Sequence, residues 1–134
     1  MNKDRVYLSC MVLAVLGLLV SIYLTAYHYS SSVPLACPDT GLINCASVLN
    51  SAYAYILGVP LAVYGLVFFI VELVILNLRY KDLKAVYNAL GLVFVFYFIY
   101  LEYLIGHICI FCTTVHIIVV LLFILTLYDA ARHG

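Results

Sequence analysis

A bundle of four membrane-spanning helices is the fold class this sequence predicts, and three observations predict it. The 134 residues are 68% hydrophobic and only 9% charged. Four apolar runs are each long enough to cross a bilayer, and every Lys and Arg falls on one side once those runs are laid across it. A soluble domain carries roughly a quarter charged residues, so the aqueous classes (soluble enzyme, nucleic-acid binder, disordered tail) fall away together. Six Lys and Arg balance six Asp and Glu, which leaves no basic excess to hold a phosphate backbone, and no nucleic-acid partner is expected. The expectation is an all-α membrane protein with a single domain over 1–134.

A spanning helix needs about 20 mainly apolar residues, each rising roughly 1.5 Å against roughly 30 Å of hydrocarbon. The spans run over about 6–27, 59–78, 83–105 and 107–128. An outer cysteine loop, about 28–58, separates the first two; its polar stretch Ser30–Asn50 carries Pro34, Pro38, Asp39, Gly41, Asn44 and Asn50. Within it, Ser47 to Tyr55 predicts a short amphipathic half-helix at the interface. Gly58-Val59-Pro60 breaks the chain, and Pro60 falls in the first turn of the second span, where a missing N–H does no harm. Gly65 can admit a close neighbour. The later links are short, so spans two to four are antiparallel neighbours.

Short loops rich in Lys and Arg stay cytoplasmic. Lys3 and Arg5 precede the first span, Arg79, Lys81 and Lys84 fill the second link, and Arg132 follows the last span. Both termini are therefore expected in the cytoplasm of a multi-pass cell-membrane protein, with the 28–58 loop and the Gly106 link outside. An odd number of spans would split the charges. The first span is too apolar for too long to be a signal peptide, and no small-x-small site follows it directly. Leu35-Ala36-Cys37 resembles a lipoprotein site, but Pro34 and the Ser30-Ser31-Ser32 run spoil it.

Four of the five cysteines form two pairs on the outer side, where disulfides can form and persist. Cys37 and Cys45 lie in the loop, and Cys109 and Cys112 form a C-x-x-C at the start of the fourth span. Positions i and i+3 share a helix face, so Cys109 and Cys112 can bond to each other, and the helix start favours the thiolate that attacks disulfides. A pair of small buried hydrophobes and a four-cysteine zinc site are the alternative readings, the second needing an unusually wide C-x7-C half-site. No metal is expected. Cys10 has no partner in sequence and reads as packing. His116, one turn below Cys112, reads either as a satisfied core group or as a ligand contact. Thr113 and Thr114 bond back to their helix. Glu102 is expected to reach water, Glu72 to be paired or protonated. Tyr97, Tyr100 and Tyr103 suit an interfacial belt or an aromatic ligand's lining.

Taken together, Cys37-x7-Cys45, Ser51 six residues on, Gly58-x-Pro60-x4-Gly65 and Cys109-x-x-Cys112 opening the last span resemble the vitamin K epoxide reductase family in its stand-alone prokaryotic form. The resemblance covers about residues 6 to 128. It implies a four-helix bundle around a quinone (menaquinone, ubiquinone or a relative), capped by the loop and its half-helix. It further implies an enzyme that oxidises an extracytoplasmic thioredoxin-like partner, reduces the quinone and so supports disulfide formation. On that resemblance Cys112 delivers electrons to the quinone and Cys109 forms the resting disulfide with it. Cys45 exchanges with Cys109, and Cys37 exchanges with the partner. Ser51 supports the quinone site, and His116 hydrogen-bonds a quinone carbonyl. Leu61 stands near where animal members carry an asparagine, which favours plain quinone reduction over epoxide reduction. No thioredoxin-like domain is fused to the sequence up to Gly134, so the partner is expected to be a separate protein. Animal-type epoxide or quinone reduction, and a non-enzymatic membrane protein with structural disulfides, are the other functions to weigh.

Overall fold

The structure is a computed structural model that describes residues 2–30, 32, 34, 37 and 40–132. Four long helices dominate: α1 (Lys3–Tyr29), α3 (Leu61–Leu76), α4 (Lys81–Ile105) and α5 (Ile110–Arg132), with a short α2 (Cys45–Leu49) in the loop after α1. Helices α1, α4 and α5 are long and apolar enough to cross a membrane. At 16 residues, α3 rises about 24 Å, short of the roughly 30 Å hydrocarbon thickness. The run expected over 59–78 is trimmed at both ends. Val59–Pro60 is drawn into a two-stranded hairpin with Tyr55–Ile56, and Asn77 and Leu78 close the helix with i→i−3 bonds. The hairpin turn at Leu57–Gly58 has positive φ at both residues, the geometry that matches strand twist.

Helix α1 packs against α3 and α5, and α4 against α5 and α3. Register shows how they run. Gly17 of α1 faces Phe69 of α3, Gly65 of α3 faces Ser21 of α1, and Gly91 of α4 faces Phe68 of α3 and Val119 of α5. Neighbours are therefore antiparallel, and the close approaches depend on missing side chains. A Cβ on Gly17 would stand 2.4 Å from the Phe69 ring. Such small-residue contacts suit packing in lipid, where no hydrophobic force drives helices together. This alternation brings all six Lys and Arg to one end of the bundle and the four paired cysteines to the other.

At the basic end the core is closed by polar groups. Glu72 is fully buried and accepts hydrogen bonds from Asn88 Nδ2 at 3.0 and 3.2 Å, so the acid has a partner across the helix interface. Cys10 packs nearby with Phe69 and Leu122 in the larger apolar cluster. The predicted half-helix over Ser47–Tyr55 forms earlier and shorter. Asn44 Oδ1 accepts the Ser47 N–H at 3.0 Å and so starts α2 at Cys45. A 3₁₀ turn at Ala52–Ala54 follows, and the hairpin takes Tyr55. Pro38, Asp39, Leu35 and Ala36, which the sequence reading placed in the loop, lie outside the described residues.

Candidate functional site

Two chain segments remote in sequence are stitched together above the bundle. Ile43 and Ile108 form a single parallel β-bridge. The Ile108 N–H donates to Leu42 O at 2.8 Å, and the Asn44 N–H donates to Ile108 O at 3.0 Å. His107 Nδ1 lies 2.7 Å from Gly41 O, and Gly41 takes the left-handed φ of +88° that aims its carbonyl there. The residue following Asn44 is Cys45, and the residue following Ile108 is Cys109. The backbone pairing thus delivers one cysteine of each pair to the same place. Cys45 and Cys109 are 1% and 0% exposed and share one apolar cluster with Leu24, Val48 and Leu49. Cys37 and Cys112 pack against that cluster.

Cys37 and Cys45 are disulfide-bonded, with Cα atoms 6.1 Å apart; Cys109 and Cys112 are thiols. Cys109 stands just ahead of α5, and its carbonyl accepts both the Thr113 N–H and the Thr113 hydroxyl at 2.9 Å. The Cys112 thiol donates to the Cys109 sulfur, and this holds the Cys109 thiol below its ordinary range against the opposing effect of burial. The N–H groups of Cys112 and Phe111 add to it, as helix-start amides do for an anion, while the Glu102 carboxylate acts the other way. Of the two thiols, Cys109 is therefore the one held closer to its thiolate. Tyr23 meets Phe111 edge-on at 5.2 Å and donates its hydroxyl to Pro34 O, so aromatic packing covers the sulfurs from the α1 side.

Beside the cluster, between α4 and α5 and under Leu42, lies a cavity of about 710 Å³. Its wall is mostly apolar, with Val95 and Val120 at its base and the half-exposed Ile99 and Ile117 at its rim. The polar exceptions are Glu102, Tyr103, His107, Thr113 and His116. His116 thus lies on the cavity wall. Neither Cys109 nor Cys112 is on this wall; Cys112 turns toward the cysteine cluster, one residue from the cavity-lining Thr113. Ser51 is not on it either; its hydroxyl is buried without a hydrogen-bond partner among the described residues. Of the three tyrosines singled out, Tyr103 lines the cavity.

Glu102 departs from expectation. It does not reach out to water: its carboxylate lies 3.7 Å from His116 Nδ1, with side-chain exposures of only 11% and 9%, and accepts the Cys109 backbone N–H. His107 and Glu102 are the site residues that sequence reading missed. An acid near a helix end and a histidine in a link have no spacing signal, because both contacts are made across elements.

Apolar helices long enough for a bilayer, two cysteine pairs gathered at one end and an apolar cavity beside them fit a membrane oxidoreductase. The chain belongs to the vitamin K epoxide reductase family, whose model matches residues 8–127. Members of that family use quinones. Among individually curated proteins, no match is found.

Proposed function

We propose that the protein oxidises a separate, extracytoplasmic thioredoxin-like protein and passes the electron pair through Cys37–Cys45 and Cys109–Cys112 to a membrane quinone. The observation that carries this reading is the Ile43–Ile108 bridge, next to which Cys45 and Cys109 fall in one buried cluster. The cavity suits a quinone head group in three respects: its volume falls in the usual range for small-molecule sites, its wall is apolar with a few convergent polar groups, and its rim is made of exposed apolar side chains from which a lipid-soluble molecule can enter.

The relay balances as follows. A partner thiolate attacks Cys37, breaking Cys37–Cys45 and leaving a Cys45 thiolate. Cys45 attacks Cys109 in its disulfide with Cys112, which frees Cys112. The partner's second thiolate resolves its bond to Cys37 and the partner leaves oxidised. Cys37 then attacks Cys45, restores the outer disulfide and releases Cys109. Cys109 and Cys112 now hold the electron pair and reform their own disulfide when it is given up. A bound quinone supplies the two-electron acceptor. Each 30 mV of downhill potential in such a step is roughly 1.4 kcal/mol, enough for a quinone pool to keep the outer pair oxidised.

In this reading α3 spans together with α1, α4 and α5, and the basic end faces the cytoplasm with both termini. His116, on the cavity wall, supports the quinone, and Ser51, off that wall, supports the arrangement of the capping segment. The experiment is anaerobic mixing of purified protein with a quinone and a reduced thioredoxin-like substrate, following quinone absorbance for the wild type and Cys112→Ala. Loss of quinone reduction in the variant is the expected result. A variant with full turnover removes Cys112 from the relay, and a wild type that leaves the quinone untouched removes the function. Labelling of the cysteines in intact cells by a membrane-impermeant thiol reagent tests the sidedness.

A further inference from the structure

Reducing a quinone takes two protons as well as two electrons, and the cysteine pair releases both when it closes to a disulfide. Cys109 and Cys112 lie off the cavity wall, so their protons need a route to it. One acid stands between. The Glu102 carboxylate accepts the backbone N–H of Cys109 on one side, faces His116 Nδ1 at 3.7 Å on the other, and itself lines the cavity. With Nδ1 turned to Glu102, the His116 ring keeps Nε2 for an acceptor oxygen in the cavity. Both side chains are largely shut from water, at 11% and 9% exposure, so bulk solvent is a poor substitute for this path.

We infer that Glu102 and His116 form the proton path between the Cys109–Cys112 dithiol and the acceptor bound in the cavity, with Glu102 receiving the thiol proton and His116 delivering it. The inference rests on the proposed quinone reduction and adds to it the residue that completes the chemistry. The balance is closed. Two S–H bonds break and one S–S bond forms, the electron pair passes to the quinone, and both protons arrive on its two oxygens as the quinol is made. Glu102 and His116 end each turnover as they began. Glu102 touches the reacting dithiol's backbone rather than the acceptor and is a positioning and relay residue; His116 is the group that meets the acceptor. The other titratable groups around the pair are Cys109 and Cys112 at the start of α5, Tyr103 on α4 and His107 in the α4–α5 link. None of these joins the dithiol to the cavity as Glu102 does.

The test uses the full chain in detergent, chemically reduced, with a soluble short-chain quinone as probe. In single turnovers Glu102→Gln is expected to slow quinone reduction by about a hundredfold or more, the size of a lost acid–base step, with the quinone concentration for half-maximal rate unchanged. Glu102→Asp recovers part of the rate. The solvent deuterium isotope effect grows in Glu102→Gln as proton delivery becomes limiting. A second readout needs no quinone: the pH dependence of Cys109 alkylation shifts to lower pH in Glu102→Gln, because the carboxylate that opposes its thiolate is gone. Wild-type rates in Glu102→Gln overturn the inference. So does a slow variant whose isotope effect and alkylation profile both match wild type, since that is the pattern of a structural defect. If the wild type itself leaves the quinone untouched, the proposed function falls instead, while the alkylation arm still reports whether Glu102 acts on Cys109.

Discussion

Cys10 and Cys109 are equally buried, at 1% and 0% exposure, yet they sit at opposite ends of the bundle in different chemical settings. Cys10 lies inside α1, about two turns from its start, where its own helix uses every backbone N–H, and it has no cysteine at helical spacing. Cys109 lies one residue ahead of α5, where amides are still unclaimed, with Cys112 at i+3 and Cys45 brought alongside by the Ile43–Ile108 bridge. Burial alone does not make a sulfur reactive. Position at a helix start and a second sulfur within reach do. The polar groups differ in the same way. At the basic end Asn88 Nδ2 donates to Glu72 across α3 and α4, and neither lines the large cavity; at the cysteine end Glu102 and His116 meet on its wall.

The comparison breaks most visibly in turnover. Cys112→Ala is expected to cut quinone-linked oxidation on the order of ten thousandfold, as when one member of a catalytic unit is removed, whereas Cys10→Ala leaves it unchanged. Anaerobic quinone absorbance reads both. At the basic end the expected effects are on stability alone. Asn88→Ala strips the buried Glu72 of its donor and costs about 1–3 kcal/mol, seen as a lower unfolding temperature in detergent with turnover per folded molecule intact. Gly17→Ala drives a methyl into the Phe69 ring and costs about 1–3 kcal/mol, and Phe69→Leu in the same chain recovers part of it.

The smallest effect sharpens the comparison at the cysteine end itself. The Cys112 thiol's hydrogen bond is the leading cause that holds Cys109 below the ordinary thiol range. In wild type, alkylation of Cys109 therefore persists to lower pH than for a free cysteine. Cys112→Ala removes that bond, so the pKa rises and the alkylation midpoint moves to higher pH. A midpoint that stays put assigns the effect to the helix-start amides instead.

Much of this was legible in residue order. Apolar runs and six one-sided basic residues dictate a helical membrane bundle with its cysteine pairs together at one end, because a bilayer imposes its thickness and charge asymmetry on any chain that crosses it. The C-x-x-C at a helix start was visible for a similar reason, since helical spacing is local. Local pattern could not reveal that Asn44 would start α2 at Cys45, or that the hairpin would shorten α3. Nor could it show that Ile43 would pair with Ile108, or that Glu102 would turn to His116 rather than to water. The first two rest on short-range contacts, Asn44 to Ser47 and Tyr55–Ile56 to Val59–Pro60, that compete with other local choices; the last two join segments apart in the chain, and a side chain's partner across elements is decided only when the helices pack.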